Sequence, residues 1–308
     1  MTDSVAVVIV TYNRADLLGR TLDGLAAQTR PVDAVYVVDN DSSDHTQQVL
    51  EAHASALPLQ VTRSGENLGG AGGFHLGVSQ AHAAGHDRIW LMDDDVVPAP
   101  DCLEALLRYD GPCLAAVRED RHGSLVEKAA TRFDLRNPLA VRPKLGTVDS
   151  AYTRREDMPE QVGIENAAFE GFMVHRRVID AIGLPDPSYF IFYDDADFTI
   201  RARRAGFPVT AVRDAVIVRQ LDFDQQHALD TWKGFYMYRN LFVVHFRYGE
   251  NVLVRLKPYL IVLAVVLLSP WRGGRAEARN VTRAIRSART MRQAPARPTG
   301  GRPPVARL

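Results

Sequence analysis

Arg88-Ile89-Trp90-Leu91-Met92-Asp93-Asp94-Asp95 carries two signals at once. Its apolar run has no polar alternation, which reads as a strand buried on both faces, the kind found in parallel sheets. The three carboxylates that follow repel one another and raise each other's proton affinity. A divalent cation relieves that repulsion, because Mg2+ or Mn2+ takes hard oxygen ligands and can hold phosphates at the same time. One stretch thus points to an α/β sheet and to a phosphorylated ligand held by metal at the strand's end.

Working outward, the flanking sequence repeats the pattern. Val5–Thr11, Ala34–Asp39 and Leu59–Arg63 read as strands, and residues 17–27, 44–53 and 74–84 have helical apolar spacing. Short apolar strands alternating with helices predict an α/β fold with a mostly parallel central sheet covered on both faces. Ligands on such sheets bind outside the carboxyl ends of the strands. Thr11 to Arg14, Asp39 to Asp41 and Asp93 to Asp95 all fall at such ends, so one crevice is expected to hold all three. From 123 to 165 prolines and charges replace the pattern, which predicts loop. Regularity returns at 167–175, followed by a helix at 177–182, an acid-opened helix at 194–205, a strand at 209–218 and a long aromatic-rich helix at 226–246.

Apolar content of 46% with 24% charged residues is that of a folded globular protein. Cys102 and Cys113 make no disulfide framework and suit a reducing cytoplasm. The first apolar run lacks a basic segment before it, so no leader is expected. A net charge of zero conceals an asymmetry: from Arg272 onward ten arginines face a single acid, Glu277, giving +9 against −9 for the rest. An acidic body and a basic tail without interleaved aromatics exclude nucleic-acid recognition and favour an anionic membrane surface. Residues 252–269 are mostly aliphatic but interrupted by Arg255, Lys257 and Pro258. That is short of the roughly 20 clean apolar residues a bilayer span needs and suits interfacial contact. Arg275, Arg279, Arg283, Arg286 and Arg289 recur at helical spacing, a stripe that fits anionic headgroups.

The candidate site residues follow from position. Asn13 suits the N-cap of the first helix, whose free N–H groups favour an anion, and Arg14 can add a charge-assisted bond to phosphate. Asp39 stands where an acid accepts from a base or a ribose hydroxyl, although Asp39 to Ser43 also reads as an Asx-type turn. Glu66 to Gly73 holds four glycines in five residues before a helix, a loop that lets backbone approach a sugar or phosphate. Asp93 and Asp95 are expected on one side of an extended segment, with Asp94 on the other. Asp194, Asp195 and Asp197 open a helix, where the dipole favours acids; a partly desolvated carboxylate there can serve as a general base. His175 and His245 are expected to complete polar contacts rather than bind metal.

In this order, Val8 to Arg14, Val37 to Ser42, Glu66 to Gly73, Leu91 to Asp95 and Tyr193 to Phe198 resemble the inverting glycosyltransferases of family 2, over residues 5–220. Asn67 to Phe74 and Trp232 to Asn240 look like the actinobacterial galactofuranosyltransferases, and rhamnosyltransferases share much of the pattern. The resemblance implies a GT-A fold over 1–222, a helical, membrane-associating region over 223–292, and a disordered basic tail over 293–308. It implies that Thr11, Asn13, Arg14, Asp39, Asn67, Gly69, Gly70, Asp94 and Arg219 bind the nucleotide-sugar donor. Asp93 and Asp95 would hold Mg2+ or Mn2+ on the diphosphate, Asp195 would be the catalytic base, and Asp194 and Asp197 would bind the acceptor. The enzyme implied is a hexosyltransferase, with UDP-galactofuranose as donor, or dTDP-rhamnose in its place. Its acceptor would be a polyprenyl-linked saccharide at the inner face of the cell membrane. One position departs: Arg219 stands where these galactofuranosyltransferases carry a metal-ligating histidine. A guanidinium stays protonated and cannot ligate a cation, but it can face a diphosphate directly; His227 lies eight residues on. A nucleotidyltransferase would carry a G-x-G-T-R type loop after the first strand, where this chain has Thr11-Tyr12-Asn13-Arg14.

Overall fold

The computed structural model describes residues 3–140, 142–221, 229–271 and 274–292. Strand β1 (Val5–Thr11) is followed by α1 (Ala15–Ala26), β2 (Ala34–Asp39), α2 (Thr46–His53), β3 (Leu59–Arg63), α3 (Gly69–Ala83) and β4 (Arg88–Asp93). Then come β5 (Val96–Pro98), α4 (Cys102–Leu107), β6 (Cys113–Glu119), β7 (Ala130–Phe133), β8 (Lys144–Thr147), α5 (Val148–Ala151) and β9 (Gln161–Ile164). The sheet-bearing part closes with β10 (Phe172–His175), α6 (Arg176–Ile182), α7 (Asp194–Arg204) and β11 (Val209–Arg219). Helices α8 (Trp232–Tyr248), α9 (Val252–Leu268) and α10 (Gly274–Thr290) complete the chain.

Nine strands form the main sheet in the order β3-β2-β1-β4-β10-β6-β11-β5, with β9 also pairing β11. β1, β2, β3 and β4 run parallel, and β6 and β11 point the same way because β10 lies antiparallel between β4 and β6. The sheet is therefore mostly parallel, as the alternation predicts. β1 shows why the strands carry no polar alternation. Val5, Val7 and Ile9 pack with Leu18, Leu22 and Leu25 of α1 on one face, while Ala6, Val8 and Val10 pack with Phe74 and Val78 of α3 on the other. Burying each such side chain contributes about 1.5–3 kcal/mol. α3 sits especially close: a Cβ on Gly73 would lie 2.4 Å from Val10 Cγ1, and one on Gly77 the same distance from Val8 Cγ1. The glycine-rich run is thus the first turn of a helix pressed on the sheet, where a loop was expected.

Residues 123–165 also differ from expectation, because they hold β7, β8, α5 and β9. Their apolar periodicity is weak because buried charge anchors much of the region: Arg118 of β6 reaches Glu127 through Nη2–Oε1 and Nε–Oε2 bonds of 2.7 and 3.0 Å. Helices α8, α9 and α10 build a separate cluster around Tyr238, Phe242, Val243, Val265, Val281 and Ala284. On α9, Leu253, Leu260, Leu263 and Leu267 remain exposed, as does Trp271 beyond it. Among the described residues no helix is long and apolar enough to cross a membrane. The start of the expected helix at 226–246 lies partly outside the described residues, as do His227 and the tail 293–308.

Candidate active site

β4 ends at Asp93, and Asp94 and Asp95 turn towards β5 instead of continuing an extended segment. The alternation argument for Asp93 and Asp95 therefore does not apply as first drawn, and the turn sets their neighbours. Asp94 is held by the Thr11 hydroxyl at 2.8 Å and by Arg14 Nη1 at 3.0 Å, and the same Arg14 nitrogen reaches Asp95 at 3.2 Å. Burial pushes Asp94 up to about 6, although Arg14 and Thr11 pull against it. Burial drives Asp93 well above the ordinary carboxylate range, with Glu170, Asp95 and Asp94 adding to it. Asp95 is raised by burial and by Glu170 against the pull of Arg14 and Arg219, and its Oδ1 is buried without a hydrogen-bond partner.

Glu170 was not among the residues expected. It precedes β10, whose Phe172 pairs with Leu91. An antiparallel strand enters the sheet at the edge where its parallel neighbours leave, so an acid just before β10 reaches the same crevice as acids just after β4. Motif reading at the carboxyl ends of strands passes over it; Glu170-Gly171 ahead of an apolar run was the available signal. Glu170 Oε2 forms an ion pair with Arg118 Nη1 at 2.9 Å and lies 3.6 Å from Arg219 Nε. Burial opposes its ionisation, yet Arg118 and Arg219 hold it below its usual value.

The second acid cluster begins α7. Phe190, Phe192 and Tyr193 all have positive φ, at 63°, 67° and 66°, which is unusual for bulky residues and stores roughly 1–3 kcal/mol each. This loop delivers Asp195 to the crevice partly open to solvent. Burial raises the Asp195 carboxyl, Lys144 lowers it, and Glu170 raises it again. Glu170 raises the proton affinity of Asp93, Asp95 and Asp195 alike, so the two acid clusters lie within electrostatic reach of one another. Asp194 is buried and pushed up to about 8, first by burial and then by Asp195.

Residues 3–234 match the family described as glycosyltransferase like family 2. The chain belongs to this glycosyltransferase family. A galactofuranosyltransferase, GlfT1 of Mycolicibacterium smegmatis, is 31% identical over 253 residues, covering 78% of this chain and 82% of that protein. The N-acetylglucosaminyl-diphospho-decaprenol L-rhamnosyltransferase of Mycobacterium tuberculosis is 27% identical over 241 residues, covering 71% of this chain and 76% of that protein. Among solved structures, the mannosyltransferase PcManGT of Pyrobaculum calidifontis, in complex with GDP-Man and Mn2+, superposes with a TM-score of 0.56 at 20% identity, covering 96% of this chain and 77% of that one. The fold is the expected GT-A type, and the chain is a nucleotide-sugar glycosyltransferase acting as a hexosyltransferase.

Several expected roles in this glycosyltransferase need correction. Thr11 is buried and its hydroxyl donates to Asp94, so that proton is not offered to a nucleotide. Asn13 does not cap α1: it sits at φ 52° and accepts from Ser43 N at 2.7 Å, while Asp44 accepts from Ala15 N at 3.0 Å. Arg14 is turned to Asp94 and Asp95. Asp39 Oδ1 accepts from Ser42 N at 2.9 Å, which is the Asx-type turn. Asn67 accepts from Gly69 N at 2.9 Å and so shapes the glycine turn. Gly69 has φ +71° and a Cβ there would lie 2.1 Å from Phe190 O, whereas Gly70 faces open space. Asp197 is fully buried, its carboxylate taken by Tyr189, Tyr248, Arg201 and Arg247, so it cannot bind an acceptor. Asn40 Oδ1, buried with no protein partner, is an acceptor the motif reading did not single out. His175 and His245 make the expected polar contacts, to Arg177 N and Leu241 O.

Proposed function

We propose that this enzyme transfers galactofuranose from UDP-galactofuranose, with inversion, to a polyprenyl-linked saccharide at the inner face of the cell membrane. What carries this reading is the gathering of charged groups at one sheet edge: Asp93 to Asp95 follow β4, Glu170 precedes its antiparallel partner β10, Arg219 lies 3.6 Å from Glu170, and Asp195 is within electrostatic reach of Glu170. The GlfT1 relative supports the sugar, and the decaprenol rhamnosyltransferase supports the lipid-linked acceptor.

Asp195 takes the proton from an acceptor hydroxyl as that oxygen attacks the anomeric carbon. The bond from that carbon to the diphosphate oxygen breaks, and the leaving group departs with the electron pair. Asp93 and Asp95 would hold a divalent cation: a buried Asp95 Oδ1 without a hydrogen-bond partner, beside an Asp93 of raised proton affinity, suits one. When bound, Mg2+ or Mn2+ supplies positive charge to the leaving diphosphate. Arg219, at the end of β11 opposite Val96, adds fixed charge at the same edge.

The rhamnosyltransferase relative favours a second donor, dTDP-rhamnose. Calorimetric titration with UDP and with dTDP, each with Mn2+ and with EDTA, separates the two. Tight UDP binding that vanishes in EDTA is expected; preference for dTDP assigns the rhamnosyl donor, and indifference to EDTA removes the cation from the mechanism. The exposed leucines of α9 beside exposed arginines of α10 support peripheral attachment to anionic lipid. Leu260→Glu with Leu267→Glu is expected to abolish co-sedimentation with vesicles containing phosphatidylglycerol; unchanged binding would remove α9 from the contact.

A further inference from the structure

Trp232 to Asn240 on α8 has no assigned part in the chemistry, yet its last two residues reach the loop that carries the base. Asn240 is wholly buried, and its Nδ2 lies 3.0, 2.7 and 2.9 Å from the carbonyls of Tyr189, Ile191 and Phe192. Three carbonyls around one amide group settle which end of the side chain faces the loop. Arg239 donates to the carbonyls of Ser188 and Tyr189 at 2.9 and 2.6 Å, and its Nε fixes Asn240 Oδ1 at 2.8 Å. The remaining carbonyl, that of Phe190, accepts from Ala71 N at 3.1 Å, at the glycine turn of α3. Five successive carbonyls, 188 to 192, are therefore spoken for, across the stretch where Phe190, Phe192 and Tyr193 adopt left-handed backbone.

A strained conformation persists only where its surroundings over-determine it. From this geometry we infer that Arg239 and Asn240 are positioning residues. They hold the 188–193 loop in its strained form and so set the place of Asp195 relative to the donor turn at Gly69. The C-terminal helices are then part of the catalytic machinery and not only an attachment to it. This rests on the reading of Asp195 as the base.

The test compares Asn240→Asp with Asn280→Asp. Asn280 on α10 also donates from Nδ2 to two carbonyls, those of Leu229 and Thr231, at 3.0 and 2.7 Å, but it does not touch the base loop. Both exchanges replace amide donors with an acceptor facing carbonyls. Asn240→Asp is expected to lower kcat by about 100-fold while leaving donor KM and UDP affinity within about twofold, because misplacing a reacting group by about 1 Å has that effect. Asn280→Asp is expected to lower the melting temperature to a similar degree and leave kcat nearly unchanged. Amide exchange at residues 190–197 should quicken in Asn240→Asp alone, a readout that needs no substrate. Arg239→Lys, which keeps the charge but loses the fork, should fall between wild type and Asn240→Asp in kcat. Equal losses of kcat in the two Asp variants, or unchanged exchange at 190–197, would overturn the inference. Failure of the base reading shows separately, as full transfer by Asp195→Asn.

Discussion

The two acid clusters are nearly alike in sequence, Asp93-Asp94-Asp95 against Asp194-Asp195-Ala196-Asp197, and they meet opposite fates. The first lies on a turn, where all three carboxylates stay near the crevice and Arg14 ties two of them together. The second lies on a helix, where 3.6 residues per turn send neighbours to different faces. Asp197 is carried inward to Arg201, Arg247 and two tyrosines, Asp194 is buried, and Asp195 alone is left partly open. A run of like acids is thus no measure of how many act. On a turn the acids work as a group; on a helix one is selected.

The sharpest way to break this contrast is Asp195→Asn. Loss of a general base of this kind costs roughly 10²–10⁴-fold, and we expect transfer to fall by that much with UDP affinity kept; loss of UDP binding as well would place Asp195 with the first cluster. Asp93→Asn and Asp95→Asn should each weaken Mn2+-dependent UDP binding by at least the roughly 10–100-fold that losing an outer-shell partner costs. A calorimetric difference confined to one of them would end the view that the turn acts as a group.

Asp197→Asn should act on stability. It takes the buried counter-charge from Arg201 and weakens that of Arg247, which keeps Asp186; breaking a buried pair costs about 3–5 kcal/mol, read as a lowered denaturant midpoint with UDP affinity unchanged. Lost transfer at unchanged midpoint would return Asp197 to the acceptor site. Asp194 tests the same contrast through pH. Its folded pKa, about 8, lies above that of an exposed carboxylate, so its contribution is full below the unfolded pKa and is lost as pH rises through about 8. Asp194→Asn should therefore flatten the decline in stability between about pH 4 and pH 8; an unaltered pH–stability curve would show that Asp194 is already ionised.

The donor-side half was the more legible. Its strands are local apolar runs and its acids stand directly after them, so hydrophobic period and position suffice. The region 123–165 was not legible, because the Arg118–Glu127 pair anchors it through buried charge and its strands are only about four residues long, which leaves little apolar period to read. Thr11 and Asn67 were placed correctly along the chain but given ligands where the structure gives them protein partners. Both are short polar side chains that find the nearest backbone or carboxylate first.

By itself the sequence determined the α/β alternation, the family and the positions of Asp93, Asp95 and Asp195, since these rest on patterns within a few residues of each other. Only the tertiary structure decided that Glu170 joins them, that Asp197 leaves them, and that Asn240 holds the loop between. The reason is physical: an antiparallel strand brings its start to the edge where parallel strands end, and a helix turns each carboxylate towards whatever packs beside it. Neither is written in spacing along the chain, because both depend on partners about 50 to 80 residues away.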